Sequence, residues 1–230
     1  MNILVLGKGL LGSEIIRQTN WDYLCRKEHN IDVKEFDIWK HKLYSYDVIL
    51  NCIANTDTYS TDKKSHWDVN YVFVSLLVDF CNENKKKLIH ISTDYVYTNS
   101  INEASEDDIP IHGNNWYSYT KLIADAYIEL KSNNYLICRE THKPNPFPYP
   151  KAWADQIGNF DYVNVIVKIL IDLIKINTTG VYNIGTELKS MYSLATKTNQ
   201  VIPCLKPENT PLNTSMNLDK LKNALKRINK

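Results

Sequence analysis

The chain has 230 residues, 43% of which are hydrophobic, and its formal net charge is +1. A chain of this size and apolar content can bury a core and suits one α/β domain, or one with a small appendage. The balanced charge gives no electrostatic reason to expect nucleic acid or an anionic membrane as a partner. No apolar run is long enough to span a bilayer, and the first residues lead straight into a predicted strand, so we expect a cytoplasmic protein.

The cysteines indicate free thiols. They are odd in number and widely spaced, and none of them forms a metal-ligand spacing with the histidines. We therefore expect no metal site and mostly buried thiols in a reducing compartment. The cysteines are Cys25, Cys52, Cys81, Cys138 and Cys204.

The N-terminal segment predicts a dinucleotide site. Residues 2–6 form a continuous apolar run, typical of a parallel strand buried on both faces, and residues 13–18 have a helical pattern. The Gly-x-Gly-x-x-Gly sequence between them allows a tight turn and a close approach of backbone to a pyrophosphate at a helix N-terminus. The alternative is a purely structural turn. The predicted cofactor contacts in this loop are Gly7, Gly9, Leu10, Leu11 and Gly12.

The next two predicted strands should also end at the cofactor. A strand over residues 23–25 leads into Arg26 and Lys27, which could accept the 2′-phosphate of NADP, whereas an acidic residue there would suit NAD. This favours NADP and leaves NAD as an alternative, and the two side chains could equally be ordinary surface charges. A buried strand over residues 47–51 runs into Cys-Ile-Ala at 52–54.

Two later segments carry candidate chemistry. A long helix is predicted over residues 67–80, and the strand over residues 88–91 runs into Ser-Thr-Asp-Tyr, which suits either a site or a common turn. Tyr117 and Lys121 stand four apart at the head of another predicted helix, so both leave one face. An ammonium one turn away favours the phenolate form of a tyrosine, moving it towards proton transfer at neutral pH. The alternative is a half-buried tyrosine beside a solvated lysine.

Together these motifs resemble those of the extended short-chain dehydrogenase/reductase superfamily, most closely its dTDP-4-dehydrorhamnose reductase branch. The matching stretches are Gly7 to Gly12, Asn51 to Ala54, Ile91 to Tyr97 and Tyr117 to Lys121. The likeness continues through residues 155–158, 180–185 and 190–195. It implies a Rossmann-type doubly wound parallel sheet in an α/β fold. Residues 1–140 would form the NAD(P)-binding domain, and residues 141–230 a small interleaved C-terminal substrate lobe.

The resemblance also implies roles for matched positions. Tyr117 would protonate the 4-keto oxygen of a nucleotide-linked 6-deoxy sugar as hydride arrives from the reduced nicotinamide, in deoxysugar biosynthesis. Lys121 would hold the nicotinamide ribose and lower the pKa of Tyr117, and Thr93 would hydrogen-bond the same oxygen. Further cofactor contacts would be Asp32, Val33, Cys52, Ile53, Ala54 and Asn70. Further substrate contacts would be Asp94, Tyr95, Trp116 and Arg139, with simple packing as the alternative for Trp116. Family habit suggests a homodimer through the helices at 67–80 and 117–130.

The sequence departs from this family pattern after Arg139. Residues 140–154 are short and rich in proline, which rules out a helix and shortens the substrate-covering segment. Other enzymes of the superfamily therefore stay open, namely an epimerase or a dehydratase. Dehydratases place an Asp-Glu pair after the catalytic Thr, and Asp94-Tyr95 lacks the second carboxylate. A non-catalytic NADP-binding subunit, like the β subunit of methionine adenosyltransferase, is a further alternative. The presence of Thr93, Tyr117 and Lys121 together favours catalysis.

Two segments near the C-terminus predict helices. Residues 162–176 are apolar nearly all round, as in a buried helix, although their β-branched residues also suit a strand. A stripe at helical spacing predicts a final helix docked on the core. Its members are Leu218, Leu221, Leu225 and Ile228.

Overall fold

The computed structural model describes residues 1–99 and 103–227. The chain divides into two compact units: residues 1–92 with 115–137, and residues 93–114 with 138–230. The chain passes between the units three times, and the predicted boundary at residue 140 lies close to the third passage, between residues 137 and 138. Residues 93–114, in contrast, belong with the C-terminal unit, because backbone hydrogen bonds join them to residues of that unit. The Ala104 N–H, for example, donates to the carbonyl oxygen of Ser215 at 3.0 Å.

The first unit is built from parallel strands and the helices that connect them. Its strands are β1 (Ile3–Leu6), β2 (Asp22–Leu24), β3 (Val48–Asn51), β4 (Lys87–Ile91) and β5 (Tyr135–Arg139), whose last two residues belong to the second unit. Its helices are α1 (Leu10–Thr19), α2 (Arg26–His29), α3 (Phe36–Trp39), α4 (Lys63–Trp67), α5 (Phe73–Glu83) and α6 (Trp116–Lys131). Short 3-10 turns cover Val33–Glu35 and Lys40–Leu43.

The sheet of the first unit has the strand order β5-β4-β3-β1-β2. Strand β1 pairs in parallel with β2 and β3, and β3 pairs in parallel with β4, placing Asn51 opposite His90. All residues of β1 and β3 are buried, as expected for strands covered on both faces. The predicted parallel α/β sheet of the Rossmann type is thereby confirmed.

The helix predicted over residues 67–80 is longer and interrupted. It begins at Lys63, where the Asp62 carboxylate accepts the Ser65 N–H at 3.0 Å. Between α4 and α5 lies a π-helical segment, Asp68–Val72. A π turn inserts an extra residue into the helix, so it shifts the buried face without breaking the chain direction. This shift buries Asn70 completely.

The second unit contains short strands and three helices among its described residues. The strands are β6 (His142–Lys143), β7 (Lys151–Trp153), β8 (Ile157–Gly158), β9 (Asp161–Tyr162), β10 (Gly180–Asn183), β11 (Lys189–Ser190), β12 (Ile202–Cys204) and β13 (Asn213–Thr214). The helices are α7 (Val163–Lys175), α8 (Met191–Ala195) and α9 (Asp219–Leu225). One small sheet has the order β11-β8-β13, and β12 with β7 and β6 with β9 form parallel pairs. Just after β10, the Ile184 N–H donates to the carbonyl oxygen of Arg139 at 2.8 Å.

The sequence predictions for this unit are settled by α7 and the proline-rich segment. The apolar residues 162–176 form helix α7, not a strand. Residues 140–154 contain β6 and β7 and no helix, as the prolines require. Helix α9 contains two of the four positions of the predicted C-terminal stripe, Leu221 and Leu225. Leu218 is its N-cap, and Ile228 lies outside the described residues.

None of the helices formed by the described residues combines the length and the apolar character needed to traverse a bilayer.

Candidate active site

The glycine loop joins the ends of three strands. Gly7 follows β1 with a φ of +96°, a conformation that L side chains rarely adopt. Its N–H donates to the Leu24 carbonyl at 2.8 Å, and the Cys52 N–H donates to the Leu6 carbonyl at 2.9 Å. A Cβ on Gly12 would lie 2.0 Å from the Gly7 oxygen. Gly7 and Gly12 are therefore required by the packing of the chain on itself.

Gly9 has no such packing reason. A Cβ built at this position would meet no atom within 4 Å. Gly9 is also the N-cap of α1, where no side chain caps the helix and no acidic residue occupies the first turn. No side chain therefore caps the first N–H groups of this ten-residue helix, and the space beside the Gly9 Cα is open. This cradle fits the pyrophosphate of a dinucleotide.

A charged cluster lies where β2 ends. The Lys8 ammonium donates to the Tyr23 hydroxyl and to the Glu28 carboxylate, both at 2.9 Å. These two bonds raise the pKa of Lys8, and the bonds from Tyr23 and Lys8 lower the pKa of Glu28. Arg26, predicted to meet the cofactor, is exposed and lies 3.4 Å from Asp32, another predicted contact. Lys27 is exposed and Val33 is half-buried.

Three possible metal-ligand groups also meet here. The ligand atoms of Cys25, Glu28 and His29 lie within 4.8 Å of one another in the described chain. Protein contacts account for this arrangement: the Cys25 N–H donates to His29 Nδ1 at 3.2 Å, and Glu28 is bound by Lys8 and Tyr23.

The loop after β3 is held by Asn70 of the π-helical segment. The Asn70 side chain accepts the Asn55 N–H at 2.8 Å and donates to the Asn55 carbonyl at 3.0 Å. It also donates to Thr120 Oγ1 on α6 at 3.1 Å. The predicted contacts Cys52, Ile53 and Ala54 are half-buried in this loop. Asn70 therefore fixes the loop against α6, the helix that carries the Tyr-Lys pair. Its contact on α6, Thr120, directly precedes Lys121.

Tyr117 and Lys121 lie one turn apart on α6, as the sequence predicted. The helix begins at Trp116, and its N-cap Asn115 accepts the Ser118 N–H at 2.8 Å. Tyr117 is half-buried, whereas Lys121 is 1% exposed. The Lys121 nitrogen donates to the carbonyl of Ile91 at 2.6 Å and lies 2.8 Å from His90 Nε2. The lysine is thus anchored to the end of β4, not solvated.

Sequence reasoning missed the two residues behind Lys121. His90 and Asn51 are 0% and 1% exposed, and the Asn51 amide lies 3.2 Å from His90 Nδ1. Burial, together with the Lys121 charge, holds the pKa of His90 well below its usual range. Their signal was a polar residue near the end of an otherwise apolar strand, which requires a buried partner.

Trp116 lies over a shallow groove on the surface of the first unit. Lys63 Nζ lies 4.8 Å from the centre of the Trp116 ring, and Tyr119 packs edge-on to it with centroids 5.6 Å apart. The groove encloses about 390 Å³. Its lining residues are Lys63, Lys64, Trp67, Asp68, Trp116 and Tyr119. These contacts are those of a packed surface tryptophan, and a sugar contact stays a prediction.

In the second unit, Thr93 and Asp94 belong to a buried hydroxyl-carboxylate cluster. Thr93 accepts the Tyr95 N–H at 3.2 Å and caps a 3-10 turn over Asp94–Val96. The Asp94 carboxylate accepts hydrogen bonds from Thr141 and, at 2.7 Å, from Thr214. Burial raises the pKa of Asp94, and these hydroxyl donors oppose the rise. Asp94 is therefore a structural centre of this unit, and its predicted substrate contact is untested.

The other predicted substrate residues of this unit are anchored by protein contacts. Arg139 is 1% exposed and donates to the Tyr97 hydroxyl at 2.5 Å. The Tyr95 hydroxyl accepts a long bond of 3.5 Å from Gln156, within the downstream segment that resembled the family. Nearby, burial lowers the pKa of Lys143, while Asp94 and Glu140 oppose that change. Thr141, Thr214 and Lys143 were not predicted, because their contacts join segments far apart in sequence.

Comparisons with known proteins agree with this architecture. Residues 1–142 match the family described as "RmlD substrate binding domain". Among solved structures, the chain is similar to dTDP-4-dehydrorhamnose reductase from Bacillus anthracis in complex with NADP, at 19% identity and a TM-score of 0.83 over 99% of both chains. It is also similar to UDP-glucuronic acid 4-epimerase from Bacillus cereus in complex with NAD, at 19% identity and a TM-score of 0.75, covering 98% of this chain and 90% of that one. At such identities the likeness demonstrates the fold.

Sequence relatives are more distant and cover less. The human dTDP-D-glucose 4,6-dehydratase is 26% identical over 160 residues, which are 58% of this chain and 46% of that protein. The chain spans less than half the length of the curated relatives it matches.

Proposed function

Because the chain belongs to the RmlD substrate binding domain family, within the extended short-chain dehydrogenase/reductase superfamily, we propose that it is an NAD(P)H-dependent reductase. Its substrate would be a nucleotide-linked 4-keto-6-deoxy sugar. Support for this substrate class comes from the dTDP-4-dehydrorhamnose reductases among the similar structures. The proposal places the protein in deoxysugar biosynthesis.

The observation that carries the proposal is the Tyr117-Lys121 pair. Lys121 is buried and fixed at Ile91 and His90, while Tyr117, one turn earlier on α6, keeps part of its surface open. A phenol beside an immobilised ammonium suits a proton donor to a developing alkoxide, because the positive charge stabilises the phenolate that remains. A purely structural role would not require a lysine to be buried with its nitrogen at the end of a parallel strand.

The first unit also carries the residues that would hold a dinucleotide. Gly9 and the N-terminus of α1 would accept the pyrophosphate, and Lys121 would bind a ribose hydroxyl. When bound, the reduced nicotinamide supplies the hydride. We propose NADP(H) as the preferred cofactor, because Arg26 is exposed beside the end of β2 and the Bacillus anthracis enzyme is in complex with NADP. Glu28 would suit unmodified ribose hydroxyls, so NAD(H) is the second candidate.

In the reaction, Tyr117 would give its proton to the keto oxygen, and Lys121 would stabilise the resulting phenolate. The roles of Thr93 as a hydrogen-bond partner of that oxygen, and of Asp94, Tyr95, Trp116 and Arg139 as substrate contacts, remain predictions. Tyr95 follows Asp94 where a dehydratase would carry a second carboxylate, so we do not favour dehydration despite the dehydratase among the relatives.

An epimerase is the second candidate, because an NAD-bound 4-epimerase shares the fold. A reductase consumes reduced cofactor in proportion to product, whereas an epimerase regenerates its cofactor within each turnover. The proportion of cofactor consumed therefore separates the two.

The test follows NADPH and NADH oxidation by absorbance, with dTDP- and UDP-4-keto-6-deoxyglucose offered in parallel. We expect wild type and a Tyr119→Phe control to turn over, and Tyr117→Phe to bind cofactor but lose about 10²- to 10⁴-fold in rate. Tyr119 lies on the same helix in the surface groove, so it controls for the loss of a tyrosine hydroxyl. Cofactor binding without consumption of either sugar would reject the reductase assignment for these substrates, and product formation without net oxidation would favour the epimerase.

A further inference from the structure

Lys8 of the glycine loop is held by two side chains at the end of β2. Its ammonium donates to Glu28 Oε1 at 2.9 Å and to Glu28 Oε2 at 3.2 Å, so it bridges both carboxylate oxygens. It also donates to the Tyr23 hydroxyl at 2.9 Å, and that hydroxyl donates to Glu28 Oε2 at 2.5 Å. We refer to these three side chains as the Lys8 cluster. Their bonds form a closed set in which every pair of members is joined.

The Lys8 cluster lies where the adenosine end of a dinucleotide meets a Rossmann unit. The Gly7 N–H donates to the Leu24 carbonyl at 2.8 Å, which joins the glycine loop to the last residue of β2. In such a unit, an acidic residue about 20 positions after the glycine sequence hydrogen-bonds the ribose 2′-hydroxyl. Glu28 follows Gly7 by 21 positions and Gly12 by 16. Glu28 therefore matches the position of that acid.

The acid of this chain differs from a free carboxylate, because Lys8 balances its charge. A free carboxylate accepts hydrogen bonds from ribose hydroxyls and repels a 2′-phosphate, so it selects NAD. A carboxylate paired with an ammonium carries no net charge and repels the phosphate less. The side chains of Lys8 and Glu28 are 34% and 46% exposed, so either one can change its partner without opening the core.

Arg26, the other candidate for contact with a 2′-phosphate, is held less firmly. Its side chain is 83% exposed, and its guanidinium lies 3.4 Å from the Asp32 carboxylate. So exposed an ion pair is screened by water and salt and contributes little to fixing either side chain. Lys8, in contrast, is fixed by the bonds of its cluster and directly precedes Gly9, beside which the space is open.

We propose that Lys8 is a specificity-determining residue that exchanges partners. With NAD(H) its ammonium stays on Glu28, and with NADP(H) it leaves Glu28 for the 2′-phosphate. This inference rests on the proposed NAD(P)H-dependent reductase. A phosphate carries more charge than a carboxylate and is the stronger acceptor, and the flexible stem of a lysine allows the exchange. Tyr23 keeps its bond to Glu28, so the carboxylate retains one donor after Lys8 has left.

The first test compares the affinities for NADPH and NADH by calorimetric titration, which needs no sugar and no turnover. Lys8→Met should weaken NADPH binding about 10- to 100-fold, the loss expected for one charge-assisted bond, and should not weaken NADH binding. Lys40→Met is the matched control, because Lys40 is also an exposed lysine of this unit, bound to Asp37 at 2.6 Å. Its ratio of the two affinities should equal that of wild type. A merely structural Lys8 would affect both cofactors equally, so an unchanged ratio in Lys8→Met overturns the proposal.

A second pair of variants separates contact with the phosphate from neutralisation of Glu28. Lys8→Met also exposes the Glu28 charge, which would repel a 2′-phosphate even without a contact from Lys8. Glu28→Gln removes that charge and frees Lys8, so it should strengthen NADPH binding and weaken NADH binding. Adding Lys8→Met to Glu28→Gln should then weaken NADPH binding at least about tenfold. An unchanged NADPH affinity in this double variant would overturn the exchange, because Lys8 would act only through Glu28.

The remaining outcomes distinguish this inference from the proposed reductase. Arg26→Gln should weaken NADPH binding less than Lys8→Met does, and the reverse order would overturn the assignment to Lys8. Urea unfolding checks that each variant is folded, and Lys8→Gln replaces a Lys8→Met protein that does not fold. If wild type binds neither cofactor, this inference and the reductase are both rejected. If the affinities follow the expected pattern but neither keto-sugar is reduced, this inference stands and only the reductase assignment is rejected.

Discussion

Replacing Gly9 with alanine tests whether this glycine is required for cofactor binding and not for folding. Gly7 and Gly12 are required by contacts within the chain, whereas an alanine Cβ at position 9 would meet no atom within 4 Å. The backbone of Gly9 is extended, with a φ of −76°, which alanine adopts without strain. The added methyl group would project into the space before the N-terminus of α1.

The two expected magnitudes differ. Alanine caps a helix less well than glycine by about 0.5–1 kcal/mol, and its lower unfolded-state entropy returns about 0.4–1 kcal/mol, so stability should change by less than about 0.5 kcal/mol. At Gly12 the methyl carbon would lie 2.0 Å from the Gly7 oxygen. Forcing that contact apart should cost about 1–3 kcal/mol or more. Cofactor binding by Gly9→Ala should weaken at least tenfold, about 1.4 kcal/mol, because the methyl group holds a pyrophosphate away from the N–H groups.

Urea unfolding of wild type, Gly9→Ala and Gly12→Ala gives the stabilities, and calorimetric titration with NADPH and NADH gives the affinities. Normal stability with weakened binding in Gly9→Ala is the expected pattern. Wild-type affinity for both cofactors in a folded Gly9→Ala protein would refute the reasoning that this open space receives a pyrophosphate.

Three further predictions follow from other contacts. Asn70→Ala should lower the free energy of unfolding by about 1–3 kcal/mol in urea unfolding, because it removes the side chain that binds the half-buried Asn55 N–H and carbonyl groups; an unchanged midpoint would contradict this. Lys189→Met should lower the free energy of unfolding by about 3–5 kcal/mol, because it leaves the buried Asp161 carboxylate, which Lys189 binds at 2.8 Å, without its counter-charge. The double variant with Asp161→Asn should recover part of this loss, and urea unfolding measures both values. Burial works against the charged form of Asp161, but the bonds from Lys189 and Thr186 hold its pKa below the ordinary value of 3.8. Its stabilisation should therefore be complete above that pH and lost as the pH falls through the lowered pKa, and Asp161→Asn should flatten this part of the acid-unfolding curve.

Local signals in the sequence identified most of the first unit. The apolar runs became β1, β3 and β4, the glycine sequence became the turn into α1, and Tyr117 and Lys121 came out one turn apart on α6. The predicted superfamily and branch are those indicated by the family match over residues 1–142. These features depend on residues within one turn or one strand of each other, so pattern and spacing suffice to predict them.

Two features of the structure could not be predicted from local sequence patterns. The π-helical segment that buries Asn70 looked like ordinary helix, because one inserted residue hardly changes an apolar period. The grouping of residues 93–114 with the C-terminal unit depends on backbone bonds to residues more than a hundred positions away.

The sequence by itself determined the strand and helix types, the glycine turn and the Tyr-Lys pair. Only the tertiary structure decided what surrounds Lys121. His90 is 31 residues from Lys121 and 39 from Asn51 along the chain, and the three meet because the parallel register of β3 and β4 and the packing of α6 bring them together. Register and packing are set by the whole core, so no window of sequence contains the contacts that anchor the lysine.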